Sequence, residues 1–266
     1  MLNTYHQLNC FDPNALPIIP DNYVDLIFAD LPYNITNNSY DKHPFPLEPL
    51  WKEFLRIAKP NTPFIFTSKE PFTSHLILSN LSLFKYKLIW RKNLKTNFLN
   101  AKKQPMAAYE EIVVFYNKQP TYNPQLIPRT FQTPAGNSKN TKTQNYNKLK
   151  EDYIPNPKDW LAPDDVIDEE DYFSLDAIDL QDQMLYIKCQ HNSNKFHPNQ
   201  KPIELLSYLF KTFSNPNDII LDPTAGSGST GIAAKLLNRN FILFDPGINK
   251  NNIPYKSLFD DYIKTI

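Results

Sequence analysis

Two short stretches of the chain combine residue types that could do chemistry. Asp30-Leu31-Pro32-Tyr33 sets an acid, a proline and an aromatic ring directly after the apolar run Val24 to Ala29. In α/β proteins, reactive groups collect at the carboxyl ends of strands. A carboxylate and a nearby backbone carbonyl suit a weak nucleophile such as the exocyclic amine of adenine, whose lone pair is delocalised into the ring. By accepting its N–H groups they would draw the nitrogen toward tetrahedral geometry and stabilise the positive charge that develops on attack. Pro32 would fix the turn, and Tyr33 could stack on a base that has left its duplex. A buried strand end with a capping Asp fits the same four residues.

Glycine marks the second stretch. The chain has 5 in 266 residues, where average usage of about 7% gives roughly 18. A chain so poor in glycine should keep it where the backbone has no substitute. Gly226, Gly228 and Gly231 fall between the strand-like run Asp218 to Leu221 and a helical pattern from about Thr230 to Leu237. Glycines there let a ligand approach the backbone, and the helix N-terminus offers N–H donors. The spacing reads G-x-G-x-x-G, with Asp245 ending the next run, Asn240 to Phe244. That suits a dinucleotide, with Asp245 on the ribose hydroxyls. No Lys follows the glycines, so a Walker phosphate loop is excluded. A purely structural turn fits the same spacing.

The elements that must position these groups follow from the apolar runs. Strand-length runs at Val24–Ala29, Thr62–Thr67, Tyr86–Trp90, Glu111–Tyr116, Asp218–Leu221 and Asn240–Phe244 alternate with helical patterns such as Leu50–Ala58. Strands alternating with helices predict an α/β fold, doubly wound around a mostly parallel sheet. Residues 121–195 break the pattern, being irregular and rich in Pro, Asn, Gln and Thr, as an inserted functional region would be. Charge is segregated along the chain. From Lys85 to Lys150 only Glu110 and Glu111 oppose the Lys and Arg residues, whereas Asp164 to Asp182 carries acids alone. The acidic block reads as solvated surface, and the polar segment 34–42 as a surface loop or a cover for the pocket.

Other classes are excluded by what the sequence contains. Lys+Arg and Asp+Glu both number 28, which rules out a uniformly basic nucleic-acid coat but allows a locally basic face. Cys10 and Cys189 form no Cys-x-x-Cys pair, so a disulfide framework and a cysteine zinc cluster are not expected and a reducing cytoplasm is. The five histidines lack metal-ligand spacing, and no metal is expected. No apolar run reaches the roughly 18 residues of a membrane span, and the N-terminal residues do not read as a signal peptide.

Together the two stretches resemble the permuted β group of S-adenosylmethionine-dependent DNA amino-methyltransferases. In that family an Asp-Pro-Pro-Tyr motif comes first, a target-recognition region follows, and the cofactor loop lies near the C-terminus. The resemblance covers most of the chain outside about residues 123–194. It implies a Rossmann-like methyltransferase sheet with circularly permuted motif order and an irregular inserted recognition region. Residues 1–120 would be the catalytic half, 121–195 the insertion with its acidic block at 164–182, and 196–266 the cofactor half.

The same resemblance assigns roles. Asp30, Leu31, Pro32 and Tyr33 would be catalytic. Asp222, Thr224, Gly226, Ser227, Gly228 and Ser229 would hold the methionine part of S-adenosyl-L-methionine, and Asp245 its ribose. Asn9-Cys10-Phe11 falls where the family often has Gly-Asp-Cys, near the cofactor's adenine. Phe196-His197-Pro198-Asn199-Gln200-Lys201-Pro202 resembles the cofactor-carboxylate motif, with Lys201 as its binding residue and a helix opening at Pro202. Phe98-Leu99-Asn100-Ala101-Lys102-Lys103-Gln104-Pro105 resembles a segment ahead of a later strand. The chain departs from the family pattern at Leu31 for Pro, Asn9 for Asp, Asn199 for Thr, Tyr109 for His, and Phe241 to Phe244 without a small residue before Asp245.

An Asp opening the catalytic motif resembles the adenine-N6 enzymes, whereas Ser resembles the cytosine-N4 group, which stays the alternative. Cytosine C5 chemistry would need a Pro-Cys thiolate, which neither Asn9-Cys10 nor Lys188-Cys189 supplies. The expected partner is double-stranded DNA, with Arg91, Lys92, Lys95, Lys102 and Lys103 on its phosphates. A second subunit is a further partner, with either a homodimer or a distinct chain allowed, in a bacterial or phage-infected cytoplasm near the nucleoid. Other readings are a nicotinamide oxidoreductase, a non-catalytic DNA-binding relative, and a methyltransferase acting on RNA or protein.

Overall fold

The computed structural model describes residues 1–34, 45–96, 98–125, 127–128, 160–161, 166–168, 200–248 and 252–266. Its centre is a sheet built from β1 (Thr4–His6), β2 (Leu26–Ala29), β3 (Phe64–Ser68), β4 (Phe84–Thr96), β5 (Ala107–Phe115), β8 (Val166–Asp168), β9 (Ile219–Asp222) and β10 (Asn240–Phe244). The spatial order is β1-β10-β9-β2-β3-β5-β4-β8. The first five strands in that order run parallel, β5 is antiparallel to both β3 and β4, and β8 lies parallel to β4. Two two-residue strands, β6 (Ile127–Pro128) and β7 (Trp160–Leu161), pair separately.

Both faces of the sheet are covered, which is why its strands read as continuous apolar runs rather than alternating ones. On one face lie α1 (Leu47–Ile57) and α2 (Phe72–Ser79), with Ile27, Phe64, Phe66, Val113 and Phe115 beneath them. On the other lie α3 (Ile203–Phe213), α4 (Ser229–Leu236) and α5 (Tyr255–Ile263), over Phe28, Ile65, Ile112, Val114 and Leu243. Successive strand residues thus go to opposite cores, as the two-residue period requires. The spacing of Leu50, Trp51, Phe54 and Ile57 gives α1 a single buried stripe. Trp51 packs edge-on against Phe66 and Phe115, with centroids 5.5 and 5.1 Å away. Its Nε1 donates to Ser79 Oγ at 2.8 Å and so ties α1 to α2.

The expected doubly wound, mostly parallel α/β sheet is present, and the structure extends the sequence reading in several places. β4 runs well past the Tyr86–Trp90 run, carrying Arg91, Lys92 and Lys95 out along a ribbon with β5. β1, α2 and α5 were not expected. β1 is only three residues long, and α2 has no strong one-sided apolar stripe. Pro202 stands as the N-cap of α3, one position ahead of the first turn. Most of the polar segment 34–42, the acidic block and residues 196–199 lie outside the described residues.

One topological feature prepares the site. From β2 the chain passes through α1 to β3 on one side, whereas from β9 it passes through α4 to β10 on the other. Where adjoining parallel strands send their connections in opposite directions, a crevice opens beyond their carboxyl ends. Leu26 and Ile27 of β2 pair with Ile220 and Leu221 of β9, so Asp222 ends β9 level with Phe28 and the turns that follow, carrying Asp30 and Thr224, emerge side by side at that crevice.

Candidate active site

Asp30 leaves β2 with its carboxylate held from three directions. The Tyr33 hydroxyl donates to Oδ1 at 2.7 Å, and the Thr67 hydroxyl from the end of β3 donates to the same oxygen. Oδ2 forms an ion pair with Lys201 Nζ at 2.9 Å. A carboxylate offers about four lone-pair positions, so Oδ2 keeps one for a further donor among the described residues. The Tyr33 ring stacks on Phe72 of α2, with centroids 5.5 Å apart and planes 27° apart. Burial, and then the charges of Asp30 and Glu110, push the Tyr33 pKa well up, so its hydroxyl remains a donor.

Lys201 sits just before α3 and bridges two acids, reaching Glu110 Oε2 at 3.2 Å as well as Asp30. Burial opposes its charge, but the two carboxylates outweigh that and raise its pKa above the ordinary lysine value. Glu110 also binds Lys92 through Oε1. Its neighbour Glu111 points to the other face of the ribbon, pairing with Lys87 at 2.5 Å and accepting from Thr73 at 2.6 Å.

Across the crevice, the turn after β9 is organised by two acids. Asp222 is buried; it accepts the Thr224 N–H at 2.9 Å and the Thr230 hydroxyl at 2.6 Å. Burial is the main reason its pKa is pushed up to about 7, with the charges of Asp30 and Asp245 adding to it. Asp245 accepts the Gly226 N–H at 3.0 Å on Oδ2 and the Gly247 N–H at 2.7 Å on Oδ1. From β1, the Tyr5 hydroxyl donates to the Gly226 carbonyl at 2.5 Å. The Thr224 hydroxyl reaches the Asp30 carbonyl at 3.3 Å and joins the two turns.

Gly226 and Gly228 both have positive φ, 52° and 83°, which explains part of the glycine requirement. The rest is packing. A Cβ on Gly228 would stand 2.3 Å from Phe259 of α5, and one on Gly231 would stand 2.8 Å from both Phe259 and Leu243. The turn therefore needs glycine partly to let α5 press against its back. Ser227 Oγ is buried without a hydrogen-bond partner, and Gly228 caps the N-terminus of α4. An orphaned hydroxyl, helix N–H donors and acids on both sides fit a ligand with amine, carboxylate and ribose groups.

The structure brings Asp30, Leu31, Pro32, Tyr33, Lys201 and the whole 222–229 turn to one crevice, with Asp245 behind the turn. Asn9 Oδ1 accepts the Phe11 N–H at 2.9 Å, and Phe11 packs on Phe45. Cys10 is buried, and burial pushes its thiol up to about 12, which leaves it no thiolate for ring attack. Lys95, Lys102 and Lys103 are exposed on the β4–β5 ribbon and its tip, as is Arg91. Lys92 differs from them: its ammonium turns inward to Glu110 and over the Trp90 ring, 5.0 Å from the centroid. Neighbouring strand residues face opposite ways, so Arg91 and Lys92 could not share one surface. Thr67, Glu110 and Tyr5 were missed by sequence reasoning. Nothing local marks Thr67 or Tyr5, whereas Glu110 and Glu111 were visible as the two acids within a basic stretch.

Among the described residues, no group of three His, Cys, Asp or Glu side chains could hold a metal, and no helix is long and apolar enough to cross a membrane.

A family model described as DNA methylase, of the N6/N4 methyltransferase type, matches residues 24–253. Type II methyltransferase M1.MboII of Moraxella bovis is 27% identical over 252 residues, covering 91% of this chain and 90% of its own. DNA adenine methyltransferase YhdJ of Escherichia coli K12 is 30% identical over 246 residues, covering 84% of this chain and 72% of its own. Among solved structures, the M1.HpyAVI–SAM complex is similar with a TM-score of 0.59 at 19% identity, over 97% of this chain and 98% of its own. The cytosine-N4-specific PvuII DNA methyltransferase is similar with a TM-score of 0.54 at 14% identity, over 94% and 88%. At those identities the structures speak for the fold.

Proposed function

The chain belongs to the N6/N4 DNA methylase family, and from that premise we propose that it methylates the N6 amine of adenine in double-stranded DNA, using S-adenosyl-L-methionine. The observation that carries the reading is the carboxylate of Asp30. It stands at the switch point beside the Asp222 turn, with one acceptor position left on Oδ2. An Asp in this place is also what distinguishes the adenine type from the cytosine-N4 type in the resemblance.

When bound, S-adenosylmethionine supplies a methyl on a sulfonium: the S–C bond breaks as the N–C bond forms, the thioether keeps the electron pair, and the aminated carbon's nitrogen gains a positive charge and then loses a proton to water. The protein's part is positional and electrostatic. Asp30 Oδ2 accepts one amine N–H and the Leu31 carbonyl accepts the other, so that together they stabilise the charge arriving on nitrogen. Tyr33 and Thr67 donate to Oδ1 and keep the carboxylate from rotating. Lys201 pairs with Asp30 at 2.9 Å and lies 3.2 Å from Glu110 without a directed bond, which leaves it an N–H donor to give. That N–H would serve the carboxylate of the methionine part, joined by Ser227 Oγ and the first amides of α4. Asp222 would face the methionine ammonium, and Asp245 would reach the ribose with the lone pairs its backbone partners leave. Asn9 to Phe11 would hold the adenine end. Arg91, Lys95, Lys102 and Lys103 hold phosphates while the target base leaves the duplex, at a few kcal/mol of unstacking.

The test is transfer of labelled methyl to unmethylated DNA, followed by base-resolved mapping of the product. N6-methyladenine at a defined site is expected from the wild type, and Asp30→Ala should lose at least about a hundredfold in rate. Label on cytosine N4 would move the reading to the alternative base. A wild type no faster than Asp30→Ala would overturn it.

A further inference from the structure

Behind Asp30 runs a line of alternating charge drawn from four separate parts of the chain. Lys92 of β4 meets Glu110 of β5, Glu110 meets Lys201 ahead of α3, and Lys201 meets Asp30 after β2. The side chains are 20%, 13%, 10% and 21% exposed, in that order, so water screens them poorly. Two members, Lys92 and Glu110, have no task in the transfer as described above. Their formal charges cancel, and with Lys201 and Asp30 the four sum to zero.

The arrangement bears on the reaction because positive charge is what arrives at the amine. A cation near that nitrogen raises the energy of the transition state; Lys201 is one, paired with Asp30 itself, and Lys92 is a second, one carboxylate further along the partly buried line. Asp30 balances one of them. Without Glu110 the charge of Lys92 would be unbalanced, and Lys201 would bear on Asp30 alone and weaken it as an acceptor. Glu110 Oε2 is buried and makes its ion pair with Lys201 at 3.2 Å without a directed hydrogen bond. Its action on Lys201 is therefore electrostatic, and the closer 2.9 Å contact remains with Asp30. Trp90, buried beside Lys92 on the same strand, limits the water that could do this screening instead.

Resting on the reading of this crevice as the methyl-transfer site, we propose that Glu110 is a positioning residue that cancels the charge of Lys92 and shares Lys201 with Asp30, so that the acceptor of the target amine works in electrically neutral surroundings. The role is exerted through Lys201 and Asp30, with no contact to the base.

The experiment uses the full chain, labelled S-adenosylmethionine and saturating unmethylated DNA. Glu110→Gln keeps the shape and removes the charge; its kcat should fall about tenfold or more, with KM for both substrates within about threefold of wild type. The double variant Lys92→Met/Glu110→Gln removes the unbalanced cation but still leaves Lys201 to Asp30 alone, so it should recover at least about threefold of the kcat lost in Glu110→Gln without reaching wild type. A merely structural role would not be rescued by removing a second side chain. Glu110→Gln at wild-type kcat, or a double variant no faster than the single one, would overturn the proposal. Should Glu110→Gln fail to fold, Glu110→Asp must keep most of kcat, and its loss would overturn the proposal equally. A wild type that transfers no label to DNA removes the reading of the site itself, and the proposal with it. An active wild type with indifferent Glu110 variants removes the proposal alone.

Discussion

Asp222 shows how one buried acid can couple ligand, proton and stability. Its carboxyl is pushed up to about 7 from an ordinary 3.8, chiefly by burial, and then by Asp30 and Asp245 nearby. The folded chain therefore holds this proton more tightly than the unfolded chain does. The group's contribution to stability is fully present below the ordinary carboxyl range, is lost as pH rises toward about 7, and changes little beyond it. Asp222→Asn should raise the melting temperature of the ligand-free protein at pH 8 by about 3 °C or more, with the gain vanishing near pH 4. Asparagine can still accept from the Thr224 amide and donate to the Thr230 hydroxyl, so the turn keeps its bonds. A cationic amino-acid ligand favours the ionised form, so wild-type affinity for S-adenosylmethionine should climb between pH 6 and 8 while that of Asp222→Asn stays flat and weak. Thermal melts and calorimetric titrations across that range measure both. Equal pH slopes for the two proteins would show that Asp222 does not face the cation.

At the scale of elements, the glycine turn is held by what packs behind it as much as by what it could bind. α5 sends Phe259 against Gly228 and Gly231, and Phe259 is itself packed on Tyr5 and Phe241, with centroids 5.4 and 5.7 Å away. Gly231→Ala adds one methyl where the neighbours leave 2.8 Å, an overpacking that should destabilise by about 1–3 kcal/mol. Gly228→Ala adds a φ of 83° to a closer clash and should be worse. Urea denaturation checks the order, and Phe259→Ala placed with Gly231→Ala should relieve part of the combined loss. Glycine scarcity thus pointed to a turn where the backbone does demand glycine, and at Gly228 and Gly231 that demand includes the packing of Phe259. Although their order in the sheet shows only once they are paired, the strands that carry Asp30 and Asp222 could be read from apolar runs. α5 could not, since Tyr255 to Ile263 shows only Tyr255 and Phe259 fully buried. Nor could Thr67, whose hydroxyl meets Asp30 only once β2 and β3 are paired.

In the whole molecule, the linear division into a catalytic half and a cofactor half is crossed at the first strand. β1 belongs to the N-terminal residues, yet it pairs with β10, at the edge of the sheet reached last by the chain. Tyr5, 2% exposed, gives its hydroxyl to the Gly226 carbonyl, and His6 lends its backbone carbonyl to the Asp245 amide at 3.2 Å. The glycine turn is therefore completed from the opposite end of the sequence, while Asp30 and Tyr33 owe nothing to β1. Removing residues 1–6 should weaken S-adenosylmethionine binding at least about tenfold and lower the melting temperature, because an edge strand and a buried ring are lost together. Tyr5→Phe isolates the hydroxyl: the ring stays in the core, the Gly226 carbonyl loses its donor, and affinity should fall about three- to tenfold with a smaller change in melting. DNA binding, measured by filter retention without cofactor, should be unaffected in Tyr5→Phe, because the basic ribbon of β4 and β5 stands at the far side of the sheet. A loss of DNA binding equal to the loss of cofactor binding would mean that the two ends of the sheet act as one surface, against the separation that the strand order imposes.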